Sequence, residues 1–459
     1  MVNDKSSKTI VALATSPGRG SVGIVRLSGP LVPQLIPLLV GQSLKPRYAH
    51  FLDFLDENNQ AIDKGIALYF KAPHSFTGED VLELQGHGGH YIIDQLIKRA
   101  CDLGAVLAEP GEFTLQAFLN NKIDLVQAEA IADLIEANST QAARSALHSL
   151  QGVFSDSINI LIEKIINLRI YVEAAIDFPD EELDLLNDGK VLQQLETLKD
   201  TLHFILQKAQ VGKILASGLN IVIMGRPNAG KSSILNRLAG TEVAIVTDIP
   251  GTTRDVLKEK INIDGLLLNI IDTAGLRETT DAVESIGIQR ALNEIKNADI
   301  ILMVIDASLH KTIKNPKAFF PEWADYLTKK TPIIVIHNKI DKINAEINTE
   351  NEENSDCHLI PLSAKTGQGF EKLFFTLKKI AGFTQVNEST FTARRRHLQA
   401  LSEALKNVNT AIVVLQKYKA AELVAEELYC AQKALEEITG KFRSDELLGK
   451  IFSEFCIGK

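Results

Sequence analysis

Cysteine is scarce. Cys101, Cys357, Cys430 and Cys456 are the four in 459 residues, and no two form a C-x-x-C pair. That spacing excludes a disulfide framework or a zinc ribbon and predicts reduced thiols. A basic excess is also missing. The net charge is −9, from 49 Lys and Arg against 58 Asp and Glu. This argues against indiscriminate nucleic-acid binding but leaves room for a local basic face. Long apolar runs are absent as well: Ile300–Ile305, the longest in the central region, is far too short to span a membrane. The polar segment Met1–Lys8, with Asp4, reads as neither a signal peptide nor a transit peptide. The expectation is a cytoplasmic protein without membrane association. Its 45% hydrophobic content suffices for real cores, and its length predicts two to four domains.

One stretch stands out. The apolar run Ile221–Met224 enters Gly225-Arg226-Pro227-Asn228-Ala229-Gly230-Lys231-Ser232, and Ser233-Ile234-Leu235 opens a helix. This is G-x-x-x-x-G-K-S, a phosphate-binding loop. Gly225 and Gly230 let the backbone curl its N–H groups inward, and the following helix aims its positive end at the phosphates. Lys231 is placed to reach the β- and γ-phosphates, and Ser232 to offer its hydroxyl to Mg²⁺.

Four further motifs follow in order. Thr252-Thr253-Arg254-Asp255, after Pro250-Gly251, supplies a threonine to close over Mg²⁺ and the γ-phosphate. Asp272-Thr273-Ala274-Gly275 ends the strand Leu266–Ile271 and supplies a carboxylate for Mg²⁺ and a glycine N–H for the γ-phosphate. Asn338-Lys339-Ile340-Asp341 ends the strand Pro332–Ile336, where the Asp341 carboxylate can accept both edge N–H groups of guanine. Ser363-Ala364-Lys365 ends the strand His358–Leu362 and backs the base. Each motif alone is weak. Together, at strand ends in an open α/β sheet, they predict a GTP-binding domain. Leu276 occupies the position after Asp272-Thr273-Ala274-Gly275 where Ras-like GTPases orient water with Gln. Arg277, Glu278 and Glu284 are the nearby candidates for that duty.

In chain order, Thr9–Ala14 and Val22–Leu27 predict strands around the turn Ser16–Gly20, and Val81–Leu84 predicts another before Gly86-His87-Gly88-Gly89-His90. Tyr91–Cys101 predicts a helix. His87 and His90 with Glu79 and Asp80 raise the possibility of a metal site, though Gly-rich loops carry such residues without an ion more often than with one. Leu147, Leu150, Phe154, Ile158, Leu161, Ile165, Leu168 and Val172 predict one long helix with one apolar face. Asp177-Phe178-Pro179 ends it, and Leu192–Ala209 supplies another helix. Glu346–Asp356 predicts a surface loop. After Gly382 come Arg394-Arg395-Arg396-His397, the helix Leu398–Leu415, a second stripe at Val424, Leu428, Ala431, Leu435 and Ile438, and a last helix at Asp445–Phe452. The economical architecture is multidomain: an α/β N-terminal domain (1–120), a helical bundle in two parts (121–215 and 383–459), and a Ras-like P-loop GTPase domain (216–382) inserted between them. Cys456, near the end, is a candidate functional thiol.

The combined pattern resembles the MnmE (TrmE) family of tRNA modification GTPases over essentially the whole chain. Besides the five GTPase motifs, Pro17-Gly18-Arg19-Gly20, Phe76–Gly89, Pro110–Thr114 with Ala117–Asn120, Ala393–Leu398 and the terminal Cys456-Ile457-Gly458-Lys459 carry the resemblance. It implies a folate-binding-like N-terminal domain and a homodimer through it. It implies a partner, the FAD-dependent MnmG (GidA), joined in a heterotetramer or larger complex. The pair would install an aminomethyl or carboxymethylaminomethyl group at carbon 5 of the wobble uridine of tRNA, with a tetrahydrofolate derivative, 5-formyl or methylene, as one-carbon source. By motif match the folate falls on Arg26, Glu83, Lys122 and Lys459, K⁺ on Asn228, Thr247, Ile249 and Thr252, and Mg²⁺ on Ser232 and Thr253. Glu284 falls on the residue that positions the attacking water. The nucleotide would touch Asn228, Ala229, Gly230, Lys231, Ser232, Ser233, Thr247, Asp248, Ile249, Pro250, Gly251, Thr252, Thr253, Asp272, Thr273, Ala274, Gly275, Asn338, Lys339, Asp341, Ser363, Ala364 and Lys365. K⁺ would draw the GTPase domains of the dimer together. Gln116 and Glu109 depart from the family's usual arginines. A ribosome-assembly GTPase of the Era or Der kind is the alternative, yet a single G-x-x-x-x-G-K-S disfavours Der, and a helical C-terminus in place of an RNA-binding KH domain disfavours Era. A regulatory switch without tRNA chemistry of its own is the other alternative.

Overall fold

The computed structural model describes residues 8–18, 20–177, 189–240, 258–263, 266–272, 295, 298–309, 331–343, 357–382, 390–441, 445–453, 455 and 457–458. In order, the elements begin β1 (Ile10–Leu13), β2 (Gly23–Ser28), α1 (Val32–Val40), β3 (His50–Leu55), β4 (Ala61–Phe70), β5 (Val81–Gly86), α2 (His90–Asp102) and β6 (Val106–Leu107). Helices follow: α3 (Glu112–Leu119), α4 (Leu125–Ile135), α5 (Thr140–Leu150), α6 (Val153–Asp177) and α7 (Lys190–Ser217). Next come β7 (Leu219–Gly225), α8 (Lys231–Ala239), β8 (Lys258–Ile263), β9 (Leu266–Asp272), β10 (Ile300–Asp306), β11 (Ile333–Asn338), β12 (Cys357–Pro361) and α9 (Phe370–Ile380). The chain closes with α10 (Arg395–Tyr418), α11 (Ala421–Thr439) and α12 (Asp445–Ser453). No described helix is long and apolar enough to cross a membrane.

These elements form two compact units. The first comprises Met1–Ala132, Ser149–Lys199 and Glu403–Lys459; the second comprises Asp133–His148 and Asp200–Ser402. In the first unit the strand order is β3-β4-β5-β2-β1-β6, antiparallel except for β1 and β6. Alternation decides what each face carries. Val25 and Leu27 of β2 and Leu82 and Leu84 of β5 point into a core with Leu35 and Leu39 of α1 and Leu96 and Ala100 of α2. The alternate residues, Arg26 and Glu83 among them, take the opposite face. Part of that face is covered by Phe113 of α3, which packs with Ile10, Ala12 and Ala108.

The helices correct one expectation. The stripe predicted as a single helix is two, because Gly152 breaks it in the left-handed region at φ 93°. Leu147, before the break, is exposed, whereas Phe154, Ile158, Leu161, Ile165, Leu168 and Val172 of α6 are buried. They meet α11, where Val424, Leu428, Ala431, Leu435 and Ile438 are all buried. Arg169 joins the pair, its Nη1 donating to Gln432 Oε1 at 2.7 Å while its guanidinium sits 5.4 Å from the Tyr429 ring centre. Helices before and after the nucleotide-binding segment thus share one core. Each fully buried Leu or Ile contributes about 1.5–3 kcal/mol by removal from water. α12 folds back so that Leu448, Ile451 and Phe452 meet Phe118 and Leu125.

In the second unit the order is β12-β11-β10-β7-β9-β8, parallel except for the antiparallel edge pair β8 and β9. β7, β10 and β11 are near-continuous apolar runs because a parallel strand with helices on both sides is buried on both faces. One layer of core gathers Ile221, Ile223, Leu302 and Ile334 under α8 and α9, and the other gathers Val222, Met224, Ile301 and Val335. The parallel strands therefore release their carboxyl ends along one edge, where a doubly wound sheet binds its ligand.

Candidate functional site

β7 delivers Gly225 to that edge, and the chain turns through Asn228 at φ 60° and Gly230 at φ 98° before α8 begins at Lys231. Gly230 is required twice over: its backbone is left-handed, and a Cβ there would overlap Asn338 Nδ2. Lys231 is buried, and its Nζ donates to Gly225 O at 3.0 Å and Arg226 O at 3.2 Å. The ammonium is thereby folded over the loop it serves. Ser232 and Ser233 are exposed on the first turn of α8, where the helix leaves backbone N–H groups without helical acceptors.

Asn338, buried at the end of β11, joins three segments. Its Nδ2 donates to Ala229 O at 2.9 Å, and its Oδ1 accepts from Lys339 N at 2.8 Å and Ala364 N at 3.0 Å. Lys339, left-handed at φ 66°, sends Nζ to Asn228 O at 2.7 Å and to Asp306 Oδ2 at 2.6 Å. Burial works to raise the Asp306 carboxyl, but Lys339 and the Ser308 hydroxyl and amide outweigh it and hold that group below its ordinary range. Asp341 Oδ1 accepts from Ser363 Oγ at 2.5 Å. That bond, helped by Lys365 and Lys342, lowers the Asp341 pKa, which suits a carboxylate that must stay ionised to accept two N–H groups.

Two participants were not read from the sequence. Asp306, at the end of β10, is one; Arg237, on α8, is the other. Arg237 Nη1 donates to Ala364 O at 3.2 Å and Lys365 O at 3.0 Å, and its Nη2 to Thr366 O at 3.2 Å. It clasps the loop that would back the base. Thr247, Asp248, Ile249, Pro250, Gly251, Thr252, Thr253, Thr273, Ala274, Gly275, Leu276, Arg277, Glu278 and Glu284 lie outside the described residues. Asp272 ends β9, but its side chain is not among those described.

The first unit holds the other set. Arg26 and Glu83 stand directly opposite each other on β2 and β5. Arg26 Nε and Nη2 both lie 2.9 Å from Glu83 Oε1, and the guanidinium sits 5.7 Å from the Phe113 ring centre. Lys122 Nζ donates to Pro73 O at 3.0 Å. The segment Phe76–Asp80 links the two sides: Thr77 Oγ1 and Ser28 Oγ share a bond of 2.7 Å, Asn120 Nδ2 donates to Thr77 O, and a Cβ on Gly78 would touch Lys122. The candidate metal residues go to separate partners. His87 Nδ1 meets Asp63 at 2.7 Å, Asp80 accepts from Tyr69 OH, and Glu79 accepts from Ser28. Burial and then Asp80 push the Tyr69 hydroxyl up to about 12, and burial raises Glu79 against the pull of Ser28. Gln116 is buried in α3, and Glu109 N donates to Glu112 Oε2. Near the chain's end, a Cβ on Gly458 would overlap the Leu13 carbonyl, so this tail packs on the end of β1. Cys456 and Lys459 lie outside the described residues.

A parallel sheet with this phosphate loop, and with Asn338, Lys339 and Asp341 at the neighbouring strand end, defines a P-loop GTPase. Residues 125–456 match the model of the MnmE helical domain, and residues 9–122 that of the GTP-binding protein TrmE N-terminus. The chain is 54% identical to the tRNA modification GTPase MnmE of Vibrio cholerae over 460 aligned positions, covering 99% of this chain and 100% of that protein. With its counterpart in Hydrogenovibrio crunogenus it shares 56% identity over 457 positions, 99% of each. Among solved structures it aligns with Era of Aquifex aeolicus at 28% identity over 41% of this chain and 66% of that one, with a TM-score of 0.27, too loose a superposition to support an argument. The chain belongs to the MnmE (TrmE) family of tRNA modification GTPases. It is a GTP-binding, GTP-hydrolysing enzyme of tRNA modification.

Proposed function

We propose that the chain acts with an FAD-dependent MnmG partner to install an aminomethyl or carboxymethylaminomethyl group at carbon 5 of the wobble uridine, drawing the carbon from a tetrahydrofolate derivative. The observation that carries this reading is the half-buried Arg26–Glu83 pair across β2 and β5 of the N-terminal sheet. A guanidinium beside a carboxylate offers donors and acceptors to a folate, and the buried Phe113 ring, 5.7 Å from the guanidinium, braces Arg26 from behind. Lys122 and Lys459 complete that set.

In the GTPase unit, Lys231 would reach the γ-phosphate, and Ser232 and Thr253 would hold Mg²⁺. Asn228, exposed at the bend of the loop, would join Thr247, Ile249 and Thr252 around K⁺. A bound cation there supplies the positive charge that an arginine finger supplies in other GTPases, a contribution of roughly 10³–10⁵ in rate. Glu284 would hold the attacking water where Leu276 cannot, and Cys456 would serve as a catalytic thiol. The protein would work as a cytoplasmic homodimer, with domains at 1–120, 121–215, 216–382 and 383–459.

The test is equilibrium binding of 5-formyltetrahydrofolate to the full chain. Arg26→Ala should weaken binding at least ten-fold and leave GTP turnover at the wild-type rate. Unchanged folate affinity removes Arg26 from the site, and absence of folate binding by the wild-type chain removes the one-carbon reading.

A further inference from the structure

We infer that the β3 edge of the N-terminal sheet receives a single-stranded stretch of RNA. This deepens the tRNA reading above and rests on it. β3 is the outermost strand of its sheet. Two large rings stand in the open there, Tyr48 at 57% and Phe51 at 68% exposure. Each already carries a cation. Lys45 Nζ lies 5.8 Å from the Tyr48 ring centre, and Lys64 Nζ lies 5.5 Å from that of Phe51. His50 meets Tyr48 edge-on at 5.0 Å.

The segment is built rather than loose. Arg47 sits in the left-handed region at φ 59°, fixed by its N–H on Tyr69 O at 2.8 Å and its Nη2 on His74 O at 2.8 Å. Lys45 N donates to His50 Nε2 at 3.0 Å. Such strain in a non-glycine residue persists where the surroundings hold it, most often at functional positions. Lys45, Arg47, Lys64 and Lys71 are exposed in this stretch, and Lys64 pairs with Asp53 at 3.2 Å. Asp56 and Glu57 fall beyond, at the hairpin turn. Phe51 and Lys64 lie on the sheet face opposite His50, which holds Tyr48 and Lys45, so the two ring–cation pairs flank the β3 edge from either side.

The chemistry matches an unpaired nucleotide: a base stacks on an exposed ring while the adjacent cation meets its phosphate. The competing occupant is a second protein strand on the free edge. The register shift between Phe54 and Leu55 and the charges along the strand act against that pairing.

The experiment titrates the full chain with a fluorescein-labelled RNA hairpin carrying an open loop, and with a fully paired duplex of equal length. Phe51→Ala and Tyr48→Ala should each weaken hairpin binding by roughly five- to 100-fold, the range of one lost stacking contact, with a smaller effect on the duplex. Lys45→Ala should lower the salt slope by about one. GTP turnover and molar mass by light scattering should stay at wild-type values. Unchanged hairpin affinity in both ring variants overturns this surface and leaves the tRNA reading standing. A wild-type chain that binds no hairpin overturns both. A fall in molar mass on Phe51→Ala makes the edge a chain-to-chain interface and overturns the RNA assignment.

Discussion

Ser363 shows how a single hydroxyl can set a pH limit. Guanine recognition needs the ionised Asp341, which is present above its pKa and lost as pH falls through it. The Ser363 hydrogen bond lowers that pKa. Ser363→Ala should therefore move the acid limb of GDP affinity to higher pH, with little change at neutral pH beyond the loss of loop order. A titration with a fluorescent GDP across the carboxylate range measures it; an unmoved limb would show that Ser363 does not tune Asp341. Asn338 is a residue of another kind, buried with its amide nitrogen and oxygen tying Ala229 and Ala364 together.

At the scale of elements, α8 does more than present its N-terminus. Through Arg237 it holds three successive carbonyls of the segment after Ser363. Arg237→Ala should speed GDP release several-fold, seen by displacement of a fluorescent nucleotide, while turnover at saturating GTP stays close to wild type. Gly212 makes a second case. A glycine inside a helix ordinarily costs about 0.5–1 kcal/mol relative to alanine, so Gly→Ala there stabilises. In α7, however, a Cβ on Gly212 would overlap the Phe391 carbonyl oxygen. Gly212→Ala should instead destabilise the second unit by roughly 1–3 kcal/mol. A lower urea midpoint at constant slope is the expected result, and a raised midpoint would mean that the returning chain yields.

At the scale of the whole molecule, the sequence order is interrupted: α6 and α11, separated by the nucleotide-binding segment, share one core. The proposed K⁺ requirement belongs at this scale because it concerns two copies of the chain. GTP turnover should be much faster in K⁺ than in Na⁺ at equal ionic strength, and Asn228→Ala should abolish the difference. Equal rates in the two salts would remove the cation from the mechanism and favour a plain switch.

The phosphate loop, Asn338–Asp341 and Ser363–Lys365 were legible because phosphate and guanine each demand fixed residue types at strand ends, and strand-end spacing is local. The stripe on α11 was legible for a similar reason, since burial on one side of a helix repeats every three or four residues. β3 and β4 were missed. β3 is a half-exposed edge, and Gly65 interrupts β4 where the Gln85 carbonyl leaves no room for a Cβ. α1 was hidden by Pro33 and Pro37. The break at Gly152 escaped notice because apolar spacing continues across it. By itself, then, the sequence determined the chemistry of the nucleotide loop, the inserted architecture and the family. Tertiary structure alone decided that Arg26 faces Glu83, that Asn338 ties three loops together and that Arg237 clasps the base-backing loop. Those contacts join residues from 26 to more than 100 positions apart, and only the path of the backbone brings such side chains within hydrogen-bonding distance.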